Sequence, residues 1–407
     1  MKILVVSQNF YPDNFKINDV VKEFTLRGHE VTVLTGLGGY TTGKLSSRYK
    51  LFKNRKEVWN HVNIRRVRTI TRRKGPIFRS LNYFSFTFFG SIWALLNREH
   101  FDVIYVYQLS PVTMAYPALI AAKKRKIPIL LYCLDIWPES VKAMRLKEGT
   151  FIYSLIHKIS RYLYRKSHRI AVSSQSFMEY LHTVNQVPYE KMDYIPQYAN
   201  DSSLAIQEQE RAETRFVFTG NIGYVQDVET ILLAVSKVDP AFSLKVDIVG
   251  NGSALADCEK LADQLSLNDR VIFHGRQPAE KMHEYYQDAD ACLLTLKNQN
   301  KIGLTIPAKL QGYMVAGKPI IAAIDGDAKV IIHDANCGIC VPASQAEALA
   351  QAMVDFMNLT HQEQLAFGKN ARAYYESHFT EAQFIDKTLQ ELESLDVLKK
   401  ERSNNEQ

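Results

Sequence analysis

The segment GLTIPAKLQGYMVAGKP, Gly303 to Pro319, holds a Pro, a Lys two residues later, an apolar helical stretch and a closing Gly-Lys-Pro. With Pro307 near a first helical turn, a helix from about Ala308 to Val315 directs its positive end and free N–H groups toward Gly303, Leu304 and Thr305. Lys309 sits in that turn. Amides and a cation together suit a phosphate. No carboxylate lies between Gly303 and Ile324, so a ligand here would be held without an acid. Two D-x-D strings, Asp288 to Asp290 and Asp325 to Asp327, have the spacing of a metal-bound diphosphate. One falls between a helix and an apolar run and the other in a loop, so no metal is expected. Cys337 to Cys340 is a lone C-x-x-C, expected as buried thiols around a turn, and five cysteines fit a reducing compartment.

Charge divides the chain. Residues 1–200 hold 31 Lys and Arg against 13 Asp and Glu, and the remainder holds 19 against 30. The basic half is expected to face a polyanion, either nucleic acid or an anionic membrane. No nucleic-acid module is recognisable. The uncharged run Ser80 to Asn97 is too short and too polar for a membrane span, and MKILVVSQNF reaches Gln8 and Asn9 too early for a signal peptide. A cytoplasmic location is the default.

The elements that must position Lys309 read as two copies of one plan. KILVVSQNFYP and the following DVVKEFTLRGHEVTVLTG form a strand, a helix stopped at Gly28 and a second strand, and FDVIYVY, IPILLYCLD and RIAVSS continue the series. A polar stretch, residues 197–212, reads as a linker. The pattern restarts with RFVFTGNIG, SLKVDIVGNG, RVIFHG, ACLLTL and PIIAAI. The fold class is therefore α/β, with two tandem doubly wound parallel sheets and a ligand expected between them at the strands' carboxyl ends. A last helix, about 378–396, opens on a capping box at Thr380 and Gln383, and 397–407 is expected to be a disordered tail.

In their order, NFYPDNFKINDVVKEFTLRGHEVTVLTG, LDIWPES, FTGNIG, IVGNG, IFHGRQP and IPAKLQGYMVAGKPIIA resemble the retaining glycosyltransferases of the GT-B fold (family 4 type). They look most like the branch containing the N-acetyl-L-fucosamine transferases of O-antigen and capsule assembly. The resemblance spans about residues 1–395. It implies an acceptor- and membrane-facing domain at 1–196, with the C-terminal helix packed back onto it, and a nucleotide-sugar donor domain at 213–377. It also implies transfer with retention, without metal or cofactor, from a donor expected to be UDP-linked and N-acetylated. A nucleotide-sugar epimerase and a non-catalytic glycosyltransferase-like partner are the competing readings.

The glycine turn Gly220, Asn221, Ile222, Gly223 would cradle the donor diphosphate with backbone N–H groups. Family members place an Arg and a Lys in this region, where this chain has Asn221 and Gln226-Asp227, so the charge is expected from Lys309 and from Lys16 after the first strand. The family's ribose-binding glutamate falls at Gly312, beside Gln311, whose amide can still accept and donate. Gly303, Leu304 and Thr305 would hold the donor through backbone groups. The base site is expected near Gly250, Asn251 and Arg276. Asp135, in LDIWPES, would orient the acceptor hydroxyl or stabilise charge on the sugar ring; otherwise it caps a helix.

An arginine-rich stretch ahead of an aromatic one, with Arg72, Arg73, Lys74 and Arg79, has the composition of a surface that docks on anionic lipid. Some of Phe84, Phe88, Ile92 and Leu95 are expected in the core, because they recur at helical spacing. The acceptor would then be a polyprenyl-diphosphate-linked sugar at the inner face of the cell membrane.

Overall fold

The computed structural model describes residues 1–405 apart from 41–42, 74, 145, 200–212 and 300. Lys74 and most of the expected linker lie outside the described residues. The chain divides into two compact units, residues 1–195 with 385–407, and residues 196–384.

The first unit is built on an eight-stranded sheet of β1 (Lys2–Val6), β2 (Glu30–Thr35), β3 (Lys56–Trp59), β4 (Val62–Arg66), β5 (Val103–Gln108), β6 (Ile129–Cys133), β7 (Arg169–Val172) and β8 (Met192–Tyr194). Their spatial order is β3-β4-β2-β1-β5-β6-β7-β8, parallel except for the β3–β4 pair. Apolar runs such as Val103 to Gln108 are buried at every residue, as strands covered on both faces must be. The covering helices are α1 (Lys16–Leu26), α2 (Pro76–Leu96), α3 (Tyr116–Arg125), α4 (Phe151–Lys166) and α5 (Gln175–Thr183).

The second unit carries a six-stranded parallel sheet, β9 (Thr214–Thr219), β10 (Leu244–Val249), β11 (Val271–Gly275), β12 (Ala291–Thr295), β13 (Ile320–Ala323) and β14 (Gly338–Val341), in the order β11-β10-β9-β12-β13-β14. Its helices are α6 (Val228–Lys237), α7 (Leu255–Gln264), α8 (Met282–Asp288), α9 (Ala308–Val315), α10 (Asp327–Asp334), α11 (Ala346–Met357) and α12 (His361–His378). Ile222, Ile231, Leu293 and Phe356 meet in one core. In each sheet the chain winds outward in both directions from a switch point, between β1 and β5 in the first and between β9 and β12 in the second. Ligands of doubly wound sheets bind at the carboxyl ends flanking such a point.

Three expectations fail here for physical reasons. The C-terminal helix α13 (Glu381–Asn405) starts at the expected capping box, Thr380 N–H donating to Gln383 at 3.1 Å and Gln383 N–H to Thr380 at 3.3 Å. It then runs past 396, where a disordered tail was expected, because VLKKERS has no helix breaker. Lys400 pairs with Asp396 at 2.7 Å, and Lys399 donates to the Phe101 and Asp102 carbonyls at 3.2 Å. Cys337 and Cys340 flank and occupy strand β14 instead of a turn, and burial pushes their thiols up to about 12 and about 11. Finally, Phe84, Phe88, Ile92 and Leu95 form the outward face of α2, 67%, 49%, 37% and 53% exposed. Phe86, Gly90 and Ala94 face inward, and a methyl group at Gly90 would come within 2.7 Å of Pro117 on α3. When a helix is apolar all round, periodicity gives no inside; the small residues mark it.

Candidate functional site

The switch point of the second unit is where Lys309 arrives. Helix α9 is N-capped by Pro307 with no acidic residue in its first turn. Tyr313, one turn on, is fully buried, and its hydroxyl accepts the Thr219 N–H at 3.0 Å, tying α9 to the end of β9. Thr219 Oγ1 also lies 2.9 Å from the Tyr286 hydroxyl. This fixes the lysine over the glycine turn. Its Nζ stands 3.7 Å from the centre of the Phe218 ring and donates to Gln226 Oε1 at 2.6 Å.

Gly220 lies under that lysine with φ at +123°, a conformation that favours glycine, and a methyl group there would come within 2.8 Å of Lys309 Cε and displace the side chain's end. The other glycines bring loop against loop. A methyl group at Gly250 would sit 1.7 Å from the Gly220 carbonyl oxygen, one at Gly252 2.2 Å from that of Ile222, and one at Gly326 2.0 Å from that of Gly303. The Gly250 N–H donates to the Gly275 carbonyl at 2.8 Å, so the turns after β9, β10 and β11 form one continuous edge that ends at exposed Arg276. Asn221 and Asn251 are exposed on it. Ile222 is a core residue whose N–H is bonded to Asn251 O at 3.0 Å, so it anchors the turn and offers a ligand nothing.

Electrostatics single out Lys309. Burial lowers its ammonium from 10.5 to about 7. Lys297, on the other side of the switch point, stands 3.5 Å from both Asp227 and Glu229. Asp227 also accepts from Thr230 at 2.9 Å and Ser344 at 2.6 Å. Among the described residues Lys309 is held by a neutral amide and a ring face. Such a cation is poised for an anion that arrives from outside.

Two parts of the Gly303–Pro319 segment do other work. Lys318 is buried and donates to the Ala289 carbonyl at 2.8 Å, a structural tie and no phosphate ligand. Gln311 is 2% exposed and, among the described residues, its Oε1 has no hydrogen-bond partner. Gly312 has open space where its side chain would be. Leu304 and Thr305 are half-buried just before Pro307.

In the first unit the corresponding edge carries Asp135. Both carboxylate oxygens accept hydroxyls, Oδ2 from Ser110 after β5 and Oδ1 from Ser140. Trp137 Nε1 donates to Ser110 Oγ at 3.3 Å, and Gln108 Nε2 holds the Asp135 carbonyl at 2.8 Å. Burial raises the carboxyl above its usual range, while the bonds to Ser110 and Ser140 pull it back. Ser140 lies in a short helical turn, Glu139–Met144, so the capping and functional readings of Asp135 share one geometry. Behind it Glu139, 6% exposed, accepts from Tyr153 at 3.2 Å and Tyr180 at 2.9 Å, and Lys142 lies 2.8 Å away. A small polar pocket at the ends of β1 and β2 is lined by Gln8, Asn9, Gly38, Tyr40, Arg72 and Asn82. Arg72 lies over the Tyr40 ring at 4.3 Å and points into this pocket, away from the surface role expected of it. Arg73 is exposed and Arg79 half-buried. Lys16 is the first residue of α1.

Sequence reasoning missed Gln226, Phe218 and Tyr313, whose roles appear only when strand ends meet. It also missed the buried Asp247–His274 pair, 2.7 Å apart beneath the β10 and β11 turns. No group of three His, Cys, Asp or Glu that could hold a metal exists among the described residues. No helix among them is long and apolar enough to cross a membrane.

The comparisons agree with this geometry. Residues 17–200 match the family model "Glycosyltransferase Family 4" and residues 201–374 the model "Glycosyl transferases group 1". Together these cover both units, and the chain belongs to the group 1 glycosyltransferases of the GT-B fold. The probable glycosyltransferase WbjE of Pseudomonas aeruginosa is 27% identical over 264 residues, 60% of this chain and 63% of WbjE, so the match spans less than two thirds of that relative. The putative colanic acid biosynthesis glycosyltransferase WcaL of Escherichia coli strain K12 is 28% identical over 146 residues, 36% of each chain. Among solved structures, Anabaena HepE with UDP and glucose superposes with a TM-score of 0.67 at 15% identity, over 97% of this chain and 100% of its own. Sucrose-phosphate synthase of Thermosynechococcus elongatus gives 0.74 at 16%, over 98% and 99%. At such identities these structures speak for the fold alone.

Proposed function

We propose that the chain transfers a sugar from a nucleotide diphosphate donor, with retention, to a polyprenyl-diphosphate-linked glycan in surface polysaccharide synthesis. Residues 213–377 bind the donor and residues 1–196 the acceptor, at the inner face of the cell membrane. The observation that carries the reading is Lys309, a half-buried ammonium among glycine turns with a neutral amide for its partner. The donor's diphosphate supplies the missing anion, and a leaving group so held departs without a metal ion. A UDP-linked, N-acetylated sugar is the preferred donor; HepE, which shares the fold, was solved with UDP-glucose. WcaL's name places that relative in colanic acid biosynthesis, which favours a polysaccharide acceptor. Asp135 and the Arg72 pocket are the acceptor-side groups, and Lys16 is a second cation for the diphosphate.

The test is donor hydrolysis without acceptor across UDP- and GDP-linked sugars. One UDP-sugar should be cleaved above the rest, and Lys309→Ala should abolish the preference. Failure of every nucleotide sugar to bind or react overturns the proposal.

A further inference from the structure

A groove on the first unit lies apart from Asp135 and from the Arg72 pocket. One wall is cationic: Arg55 and Lys56 at the start of β3 and Arg65, Arg66 and Arg68 at the end of β4. The other wall is Phe89, Ile92 and Trp93 of α2. The antiparallel pairing puts Lys56 opposite Arg65, which gathers both sets of cations at one end of the sheet edge. Among the described residues no carboxylate lines the groove. Glu99 engages Arg65 at 2.7 Å, and Glu57 engages Arg66 at 2.6 Å while also serving Arg48 at 2.6 Å. Arg66 is buried and further committed to the carbonyls of Gly36 and Tyr11, at 3.0 and 2.6 Å. Arg55, Lys56 and Arg68 form the exposed rim.

Each wall excludes a simpler ligand. A water-soluble phosphate has no use for an aromatic and aliphatic wall, and a neutral apolar partner has none for an exposed cationic rim. The apolar wall also continues outward along α2 into Phe88 and Phe84, an uncovered stripe that a surface in water does not favour. An anionic head joined to a hydrocarbon chain matches both walls at once.

We propose that this groove binds the phosphate head of a membrane lipid, with the Arg55, Lys56 and Arg68 rim on the phosphate and the first carbons of the chain along Phe89, Ile92 and Trp93. The inference deepens the membrane-bound reading above and rests on it, but its binding step needs neither donor nor acceptor sugar.

The experiment uses the full chain, phosphatidylcholine vesicles, and phosphatidic acid carrying bromine on its acyl chain. The tryptophan fluorescence should be quenched only when the brominated lipid is present, and Trp93→Phe should remove most of that quenching. A triple variant, Arg55→Gln, Lys56→Gln and Arg68→Gln, should need about 100-fold more lipid, at roughly fivefold for each cation lost near an anionic surface. Inorganic phosphate should not compete. Quenching that survives in Trp93→Phe overturns the proposal, as does unchanged lipid affinity in the triple variant. Competition by inorganic phosphate overturns it too, in favour of a soluble-phosphate site. Donor hydrolysis, which reads the second unit, should proceed at the parental rate in the triple variant, so the donor reading stands or falls by itself.

Discussion

The carboxyl edges of the two sheets hold half-buried charges of opposite sign and handle them differently. At the switch point of the second unit Lys309 has lost part of its water and gained an amide oxygen and a ring face. In the first unit Asp135 has lost part of its water and gained two hydroxyl donors. Two hydroxyls satisfy most of what a carboxylate needs, so Asp135 is a finished local structure that can also act on a substrate. Lys309 is unfinished, because an ammonium with three donors has little here to give them to. Completion by a ligand is thus expected at the second unit, and orientation of a ligand at the first.

The largest expected effect tests the unfinished half. Loss of a charge-assisted contact to the leaving diphosphate raises the barrier by roughly 2–4 kcal/mol, so Lys309→Ala should slow donor cleavage about 30- to 1000-fold. The pH dependence follows from the lowered value of about 7. Between about 7 and 10.5 the unfolded chain binds a proton that the folded one lacks, so this group makes stability rise with pH through that window. Below it the cost of burying the charge is fully present. Lys309→Met should therefore melt higher than the parent at acid pH, with the advantage fading as pH rises. Above pH 7 the donor's diphosphate should return the proton. Calorimetry in two buffers of unlike ionisation enthalpy should show uptake in the parent and none in the Met variant.

Asp135→Asn tests the finished half and should be milder, lowering transfer about 100-fold while leaving donor hydrolysis alone. Burial has raised this carboxyl, so at neutral pH the ionised form carries a desolvation cost that the amide escapes. The variant should be at least as stable as the parent. A variant that melts markedly lower yet transfers at the parental rate would reduce Asp135 to a capping residue.

Gly250→Ala bears on how the second edge is assembled. Its methyl group would overlap the Gly220 carbonyl at 1.7 Å, so the turns after β9 and β10 must separate. A cost of about 1–3 kcal/mol is expected from such overpacking, seen as a melting point lower by several degrees and a weaker donor affinity. Unchanged donor affinity would separate the glycine edge from the binding site.

What the sequence made legible was whatever a single segment specifies. The KILVV strand, the Pro307 helix start and the Thr380 cap are local, and each stands where its own residues put it. Contacts between segments were opaque: nothing in FTGNIG announces Gln226 as the holder of Lys309, and nothing in GKP shows Lys318 folding back onto Ala289. Strands β3 and β4 were hidden because KEVW and VNIRR are short and carry adjacent charged residues near a sheet edge. The inward face of α2 was misread since bulk suggested burial, whereas Gly90 and Ala94 are what allow the close approach to α3.

The smallest expected effect sorts two neighbouring arginines in the first unit. Arg73 is exposed, lying 5.4 Å from the Phe78 ring at the start of α2, where a cation beside an aromatic suits a membrane surface. Arg72 is turned onto Tyr40 and lines the pocket with Gln8 and Asn82, close to the end of β1. One exposed cation near an anionic surface contributes about 1 kcal/mol, so Arg73→Gln should weaken binding to anionic vesicles about fivefold, less as salt is added. Arg72→Gln should leave vesicle binding nearly intact and instead lower transfer to the acceptor, since the charge it removes faces the pocket. Sedimentation with vesicles and transfer to a short water-soluble acceptor separate the two. If Arg72→Gln releases the protein from vesicles as readily as Arg73→Gln does, the arginine faces lipid and the pocket loses its only cation among the described lining residues.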